Sequence, residues 1–271
     1  IWGVKEHYDY VRPISAIRYL ARIGKLPLIP GLIEKITSST AQTYHSHLSF
    51  YIGSIAVNCW PGEPDDPETE AGGREWILGQ DWLPYQREFF VTPAFAGYVS
   101  GHSGFSRAAA EVMTLFTGSS FFPGGLFSHT IPAGYLKFEA GPTEDVTLQW
   151  ATYYDAADEA GESRIYGGIH VSPDDGPGRV MGQKIGQAAY KHAKKYWNGD
   201  ILNQPLIVLN NDGIFWFETV PGYQYKVESG TDLLSFPTTA ADSILATGHE
   251  ASVTLPLSEP NRFFRLKITP P

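Results

Sequence analysis

Past the middle of the chain, residues 163–174 read Ser-Arg-Ile-Tyr-Gly-Gly-Ile-His-Val-Ser-Pro-Asp. We predict that Arg164 ends a helix, that the two glycines bend the chain, and that His170 follows in the turn. A guanidinium recognises oxyanions through planar, two-pronged hydrogen bonding. An imidazole on the same bend is suited to bond to the central atom of such an anion. By itself, the segment is more simply a helix C-terminus with a basic cap.

A second segment, residues 98–103, reads Tyr-Val-Ser-Gly-His-Ser where a loop enters a predicted helix. Such a turn directs backbone N–H groups and the positive end of a helix dipole towards one point, which favours an anion. Ser100 adds a hydroxyl donor, Gly101 lets the backbone approach a ligand closely, and His102 adds a titratable group. Alone, this segment is more simply an N-terminal cap followed by an exposed histidine.

Two cations near the start of the chain complete the set. Lys5 and Arg12, the latter followed by Pro13, are seven residues apart, so on one helix they project from nearly the same face. A pair of this kind is usually a solvated surface. Together, however, the three segments supply groups that suit a tetrahedral oxyanion able to expand to three equatorial oxygens and two axial positions. The groups belong to Lys5, Arg12, Ser100, Gly101, His102, Arg164 and His170.

The order and internal spacing of these segments resemble those of vanadium-dependent haloperoxidases and type-2 phosphatidic acid phosphatases. The shared pattern is Lys-x6-Arg-Pro, then Pro-Ser-Gly-His, then Ser-Arg-x5-His-x3-Asp; this chain departs from it at Val99, where proline is usual. Val99 supplies no ligand atom, so the departure puts little in doubt. The resemblance covers about residues 1–197 and implies a mainly α fold, a helical bundle of the type found in this superfamily.

The resemblance also implies a role for each motif residue. His170 is the residue bonded to vanadium in a haloperoxidase, or the nucleophile in a phosphatase. His102 is the acid/base group, Lys5 polarises the bound peroxide, and Asp174 orients His170 through its other ring nitrogen. The cofactor is vanadate, and phosphate can occupy the same site. The oxygens of either anion are held by Lys5, Arg12, Ser100, Gly101 and Arg164.

Vanadate and phosphate have the same shape and similar charge, so these residues do not separate the two activities. Haloperoxidase is favoured because no apolar run approaches the roughly 20 residues that cross a bilayer, and because residues 90–98 and 155–161 resemble soluble bacterial haloperoxidase-like proteins. Phe95 lies seven residues before His102, where chloroperoxidases carry Phe and bromoperoxidases carry His, which makes it a halide-pocket candidate. We therefore expect halide, hydrogen peroxide and an organic acceptor as small-molecule partners.

Two alternatives stay open. One is an acid phosphatase that hydrolyses phosphomonoesters through a phosphohistidine at His170. The other is an inactive homologue in which the C-terminal part of the chain binds or attaches to a partner. That part, residues 199–271, has short β-rich runs separated by turn signals, and it predicts a small β-sandwich-like module after a catalytic domain at residues 1–198.

The net charge of −9 argues against nucleic-acid binding. The first residues read as the middle of a helix, and the family's acidic partner of the acid/base histidine would lie upstream. We therefore expect that part of the catalytic domain precedes this chain, and that an upstream fragment or a second copy is a partner. The loose likeness of the tail to modules of secreted bacterial proteins favours a secreted or periplasmic location.

Periodicity and turn signals predict the individual elements. Asp174 or Asp175 is a candidate cap for the last helix. The predicted helices cover residues 4–12, 15–23, 37–57, 101–116, 146–166 and 177–197. The predicted strands cover residues 206–209, 215–220, 223–228, 252–255 and 263–268.

Overall fold

The computed structural model describes residues 1–66, 69–70, 72–85, 92–137, 141–203, 205–255 and 262–271. The chain divides into two compact units, Ile1–Ala189 and Tyr190–Pro271. The predicted boundary between residues 198 and 199 stays a prediction. Within the described part of the chain, no helix combines the length and the apolar character needed to cross a membrane.

Five α-helices are described, and the signals that begin and end them are local. Pro13 occupies the first turn of the second helix, where its missing N–H costs nothing. Thr152 and Asp155 form a reciprocal capping box at the start of the fourth, and Gly118 ends the third in the left-handed conformation. The helices are α1 (Trp2–Tyr8), α2 (Pro13–Arg22), α3 (Gly101–Thr117), α4 (Tyr153–Tyr166) and α5 (Ser172–Trp197).

Helix α5 packs against α3 through glycines spaced four residues apart on one helical face. A Cβ atom on Gly182 would collide with the carbonyl oxygen of Gly104, and a Cβ atom on Gly178 would lie 3.0 Å from the Cβ atom of Ser103. Because no larger side chain fits there, the two helix backbones come close together. This packing brings the first turns of α5 against the first turn of α3.

Two small antiparallel sheets interrupt the helical unit. In the first, β1 (Ile33–Lys35), β2 (Ile55–Cys59) and β3 (Glu75–Leu78) pair in the order β1-β2-β3. The prediction of a helix over residues 37–57 was wrong, because this segment forms two short 3₁₀ helices, Thr40–Gln42 and Ser46–Tyr51, and then β2. The central strand β2 begins with three consecutive buried residues, and such a run does not distinguish a strand from a helix.

The second sheet corrects another boundary. Residues 146–166 do not form one helix: β5 (Val146–Trp150) pairs with β4 (Phe127–Ile131), and α4 begins only after the cap at Thr152. The last helix begins earlier than predicted, at Ser172 rather than at Pro177. Asp174 and Asp175 therefore lie inside its first turn and do not cap it.

The C-terminal unit contains β6 (Ile207–Leu209), β7 (Ile214–Glu218), β8 (Gln224–Gly230), β9 (Thr238–Leu245), β10 (Glu250–Thr254) and β11 (Phe263–Thr269). They form two three-stranded antiparallel sheets, ordered β10-β7-β6 and β11-β8-β9. Phe217 of one sheet and Tyr225 of the other belong to one buried core. Each of the five predicted strands overlaps an observed strand, whereas β9 was missed because its sequence, TTAADSIL, does not alternate apolar and polar residues. The sandwich arrangement stays a prediction.

Candidate active site

A cavity of about 340 Å³ in the helical unit collects residues from all three motif segments. Ser100 and Asp174 are fully buried and do not line the cavity themselves; Ser100 directly precedes Gly101 of the wall, and Asp174 hydrogen-bonds to His170 of the wall. Residues far apart in sequence therefore meet around one space. The predicted site residues that line the cavity are Lys5, Arg12, Phe95, Gly101, His102, Arg164 and His170.

Lys5 and Arg12 reach the cavity from different helices, which corrects the prediction that they share one helical face. Asp9, in the left-handed conformation, ends α1, and Arg12 occupies the extended N-cap position of α2. Pro13 disfavours helix at the residue before it, which accounts for the extended conformation of Arg12. Both cations nevertheless converge, because the chain turns between the two helices.

Backbone carbonyl groups hold both cations in place. Lys5 Nζ donates hydrogen bonds to the carbonyl oxygens of Ala96 (2.8 Å) and Gly97 (3.0 Å). Arg12 Nε donates to the carbonyl of Phe95 (2.9 Å), and its Nη1 donates to the carbonyl of Ile169 (3.0 Å). An ammonium group has three donors, so Lys5 keeps one for a ligand. Burial lowers the pKa of Lys5 to about 8, with the nearby charge of Arg12 contributing.

Both ring nitrogens of His170 are held by neighbouring side chains. Its Nδ1 is 2.8 Å from Oδ2 of Asp174, and its Nε2 is 3.2 Å from Nη1 of Arg12. A carboxylate accepts, so Nδ1 carries the hydrogen, and the lone pair of Nε2 accepts the hydrogen bond from Arg12, which an anion bonded at Nε2 would replace. Burial, assisted by the charge of Arg12, lowers the pKa of His170, although Asp174 opposes the shift. The imidazole is therefore neutral and oriented for a bond at Nε2.

The first turn of α3 forms another part of the wall. Ser100 caps the helix, its Oγ accepting a hydrogen bond from the backbone N–H of Ser103 at 3.3 Å. A hydroxyl that accepts one bond can still donate its hydrogen, so the predicted contact of Ser100 with an anion stays a prediction. A Cβ atom on Gly101 would meet no protein atom within 4 Å, which leaves open space beside its amide.

The positive charge of the cavity is not balanced by its own wall. No carboxylate is among the described lining residues, and the nearest acid, Asp174, is bonded to His170. Nε of Arg164 is buried without a hydrogen-bond partner among the described residues. Burial lowers the pKa of Arg164 as well as that of Arg12. Because an oxyanion would supply both the missing acceptor and the missing charge, the residues present fit vanadate or phosphate.

The apolar part of the wall was largely missed from the sequence. Besides Phe95, it includes Trp2 and Phe105, and the rings of Trp2 and Phe95 meet edge-on at 4.9 Å. Lys5 Nζ and Arg12 Cζ lie 5.3 Å and 5.1 Å from the centre of the Phe95 ring. Helical spacing was the available signal, because Trp2 and Phe105 each lie three residues from a motif residue.

The stretch of residues 90–98, which resembles bacterial haloperoxidase-like proteins, is only partly described by the structure. Phe90 and Val91 lie outside the described residues. Pro93 and Phe95 from the same stretch line the cavity. Among the described residues, no group of three His, Cys, Asp or Glu side chains is arranged to hold a metal ion.

The helical unit contains a cavity whose described lining combines cations, imidazoles and aromatic rings. A family model described as the VCPO (vanadium chloroperoxidase) second helical-bundle domain matches residues 1–199. The chain belongs to this family, and with it to the superfamily of vanadium haloperoxidases and type-2 phosphatidic acid phosphatases. No curated protein sequence matches the chain significantly.

Solved structures of bacterial vanadium-dependent chloroperoxidase share the fold. The holo form is 18% identical with a TM-score of 0.51, over 72% of this chain and 32% of that one. The apo form is 20% identical with a TM-score of 0.53, over 73% of this chain and 34% of that one. The chain thus spans about a third of the length of these proteins. A bacterial vanadium-dependent iodoperoxidase is 30% identical over 40% of this chain and 23% of that one, with a TM-score of 0.30.

Proposed function

We propose that the chain is the anion-binding part of a vanadate-dependent haloperoxidase, which oxidises halide with hydrogen peroxide to a hypohalous acid equivalent. One observation carries the proposal: cations and imidazoles from three distant segments line one cavity that has no carboxylate among its described lining residues. Family membership supports the same class of chemistry. The match to chloroperoxidases covers only part of their length, so the activity is a proposal.

The chain's own residues account for binding of the cofactor. His170, neutral and held by Asp174, would bond through Nε2. The cationic groups would compensate the negative charge, and an anion placed there gives the buried Nε of Arg164 an acceptor. Bound vanadate supplies a Lewis-acidic centre at which hydrogen peroxide is activated towards halide. The oxygens would be held by Lys5, Arg12, Ser100, Gly101 and Arg164.

His102 is suited to move a proton beside the anion. Burial lowers its pKa, and the charge of Arg164 lowers it further. The imidazole is therefore neutral near pH 7 and ready to accept a proton, whereas a bound anion would favour its protonated form. This is the behaviour required of an acid/base group that takes a proton from the incoming molecule and returns it to a leaving oxygen.

The aromatic side chains form an apolar, solvent-exposed side of the cavity. Trp2, Phe95 and Phe105 line the same cavity as the cations, and each is exposed to solvent. This side is open to small molecules that approach the anion. We propose that halide enters along this side, next to Phe95.

A paired assay on the protein tests the proposal. Incubation with vanadate, hydrogen peroxide and bromide should halogenate a phenol-red-type dye, whereas a phosphomonoester in vanadate-free buffer should not be hydrolysed. Phosphomonoester turnover without dye halogenation would favour the phosphatase that the same residues permit. Silence in both assays would overturn the proposal.

Substitution of His170 ties the activity to the cavity. His170→Ala should leave no vanadium above background after gel filtration and lower the oxidation rate by about a thousandfold or more. His129→Ala is the matched control, because His129 is exposed on β4 and belongs to none of the motif segments. Equal vanadium content in both variants would contradict the assignment of His170.

A further inference from the structure

Close to the cavity, three helices meet in an ionic cluster to whose members the motif pattern gives no role at the anion. The cluster is formed by Ser103, Asp158, Asp175 and Arg179. Asp175 lies at its centre, one residue after the aspartate that holds His170. Arg179, one turn further along α5, contacts both carboxylate oxygens of Asp175: Nε is 3.0 Å from Oδ1 and Nη2 is 2.8 Å from Oδ2. Such two-pronged pairing fixes both position and orientation.

Ser103 connects the cluster to the first turn of α3. Its hydroxyl donates to Oδ1 of Asp175 at 2.6 Å, and its backbone N–H donates to Oγ of Ser100 at 3.3 Å. Ser103 and Ser100 are both fully buried. Because Gly101 and His102 lie between these two serines, the hydrogen bonds fix the part of α3 that faces the cavity.

Arg179 connects the cluster to α4. Its Nη1 is 3.0 Å from Oδ2 of Asp158, and its Nη2 donates to the backbone carbonyl of Asp158 at 3.2 Å. A Cβ atom on Gly161 would collide with Oδ1 of Asp175, so the backbone of α4 approaches that carboxylate closely. Arg164 lies on the last turn of the same helix.

We propose that the ionic cluster is a positioning element of the anion site. It fixes α3, α4 and the start of α5 relative to one another, so that the amide of Gly101, the guanidinium of Arg164 and the imidazole of His170 face one anion. This inference rests on the proposed function, because it requires that an anion binds there. Asp175, Ser103 and Arg179 are thereby assigned a role that the motifs do not give them.

Binding of inorganic phosphate, measured by calorimetry on the full chain, tests the positioning role without need of a loaded enzyme. Asp175→Asn should weaken phosphate binding by about 10- to 100-fold, as loss of an outer partner does at other sites. Ser103→Ala should weaken it less. The double variant should bind no more weakly than Asp175→Asn, because both changes break the same path. If the losses of phosphate affinity in the two single variants add up in the double variant, Ser103 does not act through Asp175, and this part of the proposal is overturned.

A matched control separates positioning from stability. Leu48 is buried in the same unit but in a separate core cluster with Ile36 and Leu78, away from the ionic cluster. Leu48→Ala should lower the melting temperature as Asp175→Asn does, but it should leave phosphate affinity unchanged. Unchanged affinity in Asp175→Asn, with the same loss of melting temperature, would overturn the proposal.

Two further outcomes are decisive. If Asp175→Asn does not fold, Ser103→Ala carries the test, because it removes one hydroxyl and keeps the charges of the cluster. Phosphate affinity equal to that of the unaltered chain would then overturn the proposal. Failure of the unaltered chain to bind phosphate would instead overturn the proposed function, and this inference with it.

Discussion

Two arginines on the helices around the cavity, Arg179 and Arg164, differ in whether a carboxylate balances their charge. Burial alone would lower the pKa of Arg179, but its hydrogen bond with Asp175 and the charge of Asp158 outweigh burial and raise it. Burial lowers the pKa of Arg164, and no carboxylate offsets it. Arg179 is satisfied within the protein, whereas Arg164 keeps a buried N–H without a partner among the described residues.

This difference distinguishes a structural cation from a binding one. A protein stabilises itself by pairing a buried charge, and it leaves one unpaired at a cost in stability. Lys5 and Arg12 lie between these two cases, because backbone carbonyls accept their hydrogen bonds and the charge of Asp174 offsets part of their burial. The paired and the unpaired arginine should therefore respond differently to substitution.

The largest effect on stability is expected at the paired arginine. Arg179→Met leaves the carboxylate of Asp175 without its cation, whereas Asp158 keeps Arg107 at 3.7 Å, and it should lower the free energy of unfolding by about 3 kcal/mol. Urea unfolding followed by circular dichroism measures this. Lys184→Met, on an exposed position of the same helix, should change it by less than about 0.5 kcal/mol. A loss at Arg179 as small as that of the control would contradict the pairing argument.

The unpaired arginine should show the opposite pattern. Arg164→Met should leave the free energy of unfolding in anion-free buffer unchanged or higher, because it removes one of several close cations. It should weaken phosphate binding by about 100-fold, which is roughly 3 kcal/mol. Calorimetry and urea unfolding on the same sample measure both. Arg74→Met, at an exposed position, is the control and should change neither the free energy of unfolding nor phosphate affinity. If Arg164→Met lowers stability but leaves phosphate affinity intact, Arg164 is a structural cation and not a binding one.

The sequence predicted the lining residues better than the elements that carry them. The three motifs predicted a meeting of Arg164, His170 and His102, and the cavity brings them together. Spacing did not show that Lys5 and Arg12 lie on separate helices, because the left-handed residue that separates them is an aspartate rather than a glycine.

The support around the site could not be predicted in the same way. Ser103, Asp175 and Arg179 meet only because α5 packs closely on α3, and that packing depends on tertiary contacts of glycines. Periodicity failed for a different reason at β2, where the consecutive buried residues of a central strand fit a helix equally well. The capping box at Thr152 is a local signal that the prediction did not use, so the helix over residues 146–166 was begun too early.

Among the cations that line the cavity, Lys5 should make phosphate affinity depend on pH. Its pKa of about 8 means that the anion-free chain loses this charge above pH 8. Phosphate keeps one charge state between pH 8 and pH 10, so its affinity should fall by up to about tenfold per pH unit in this range. Lys5→Arg should abolish the decline, because a guanidinium stays charged. A decline of equal slope in Lys5→Arg would exclude Lys5 as its source.

The same group gives stability the opposite pH dependence. The pKa of Lys5 is lower in the folded chain than the ordinary 10.5, so the unfolded chain binds more protons between about pH 8 and pH 10.5. The free energy of unfolding of the anion-free protein should therefore rise over this range relative to Lys5→Met. Urea unfolding of both proteins at several pH values measures the difference. A falling difference would mean that Lys5 has a partner in the folded state.

The smallest effect is expected where an aromatic ring partly takes the place of a counterion. The Phe95 ring lies about 5 Å from both Lys5 Nζ and Arg12 Cζ, and such contacts contribute roughly 0.5–1 kcal/mol at exposed sites. Phe95→Leu keeps the apolar wall but removes the ring, so phosphate affinity should change by about two- to fivefold. Phe50→Leu, at a position 96% exposed, is the control. If Phe95→Leu instead changed phosphate affinity by about 100-fold, the ring would count with Arg164 among the groups that bind the anion directly.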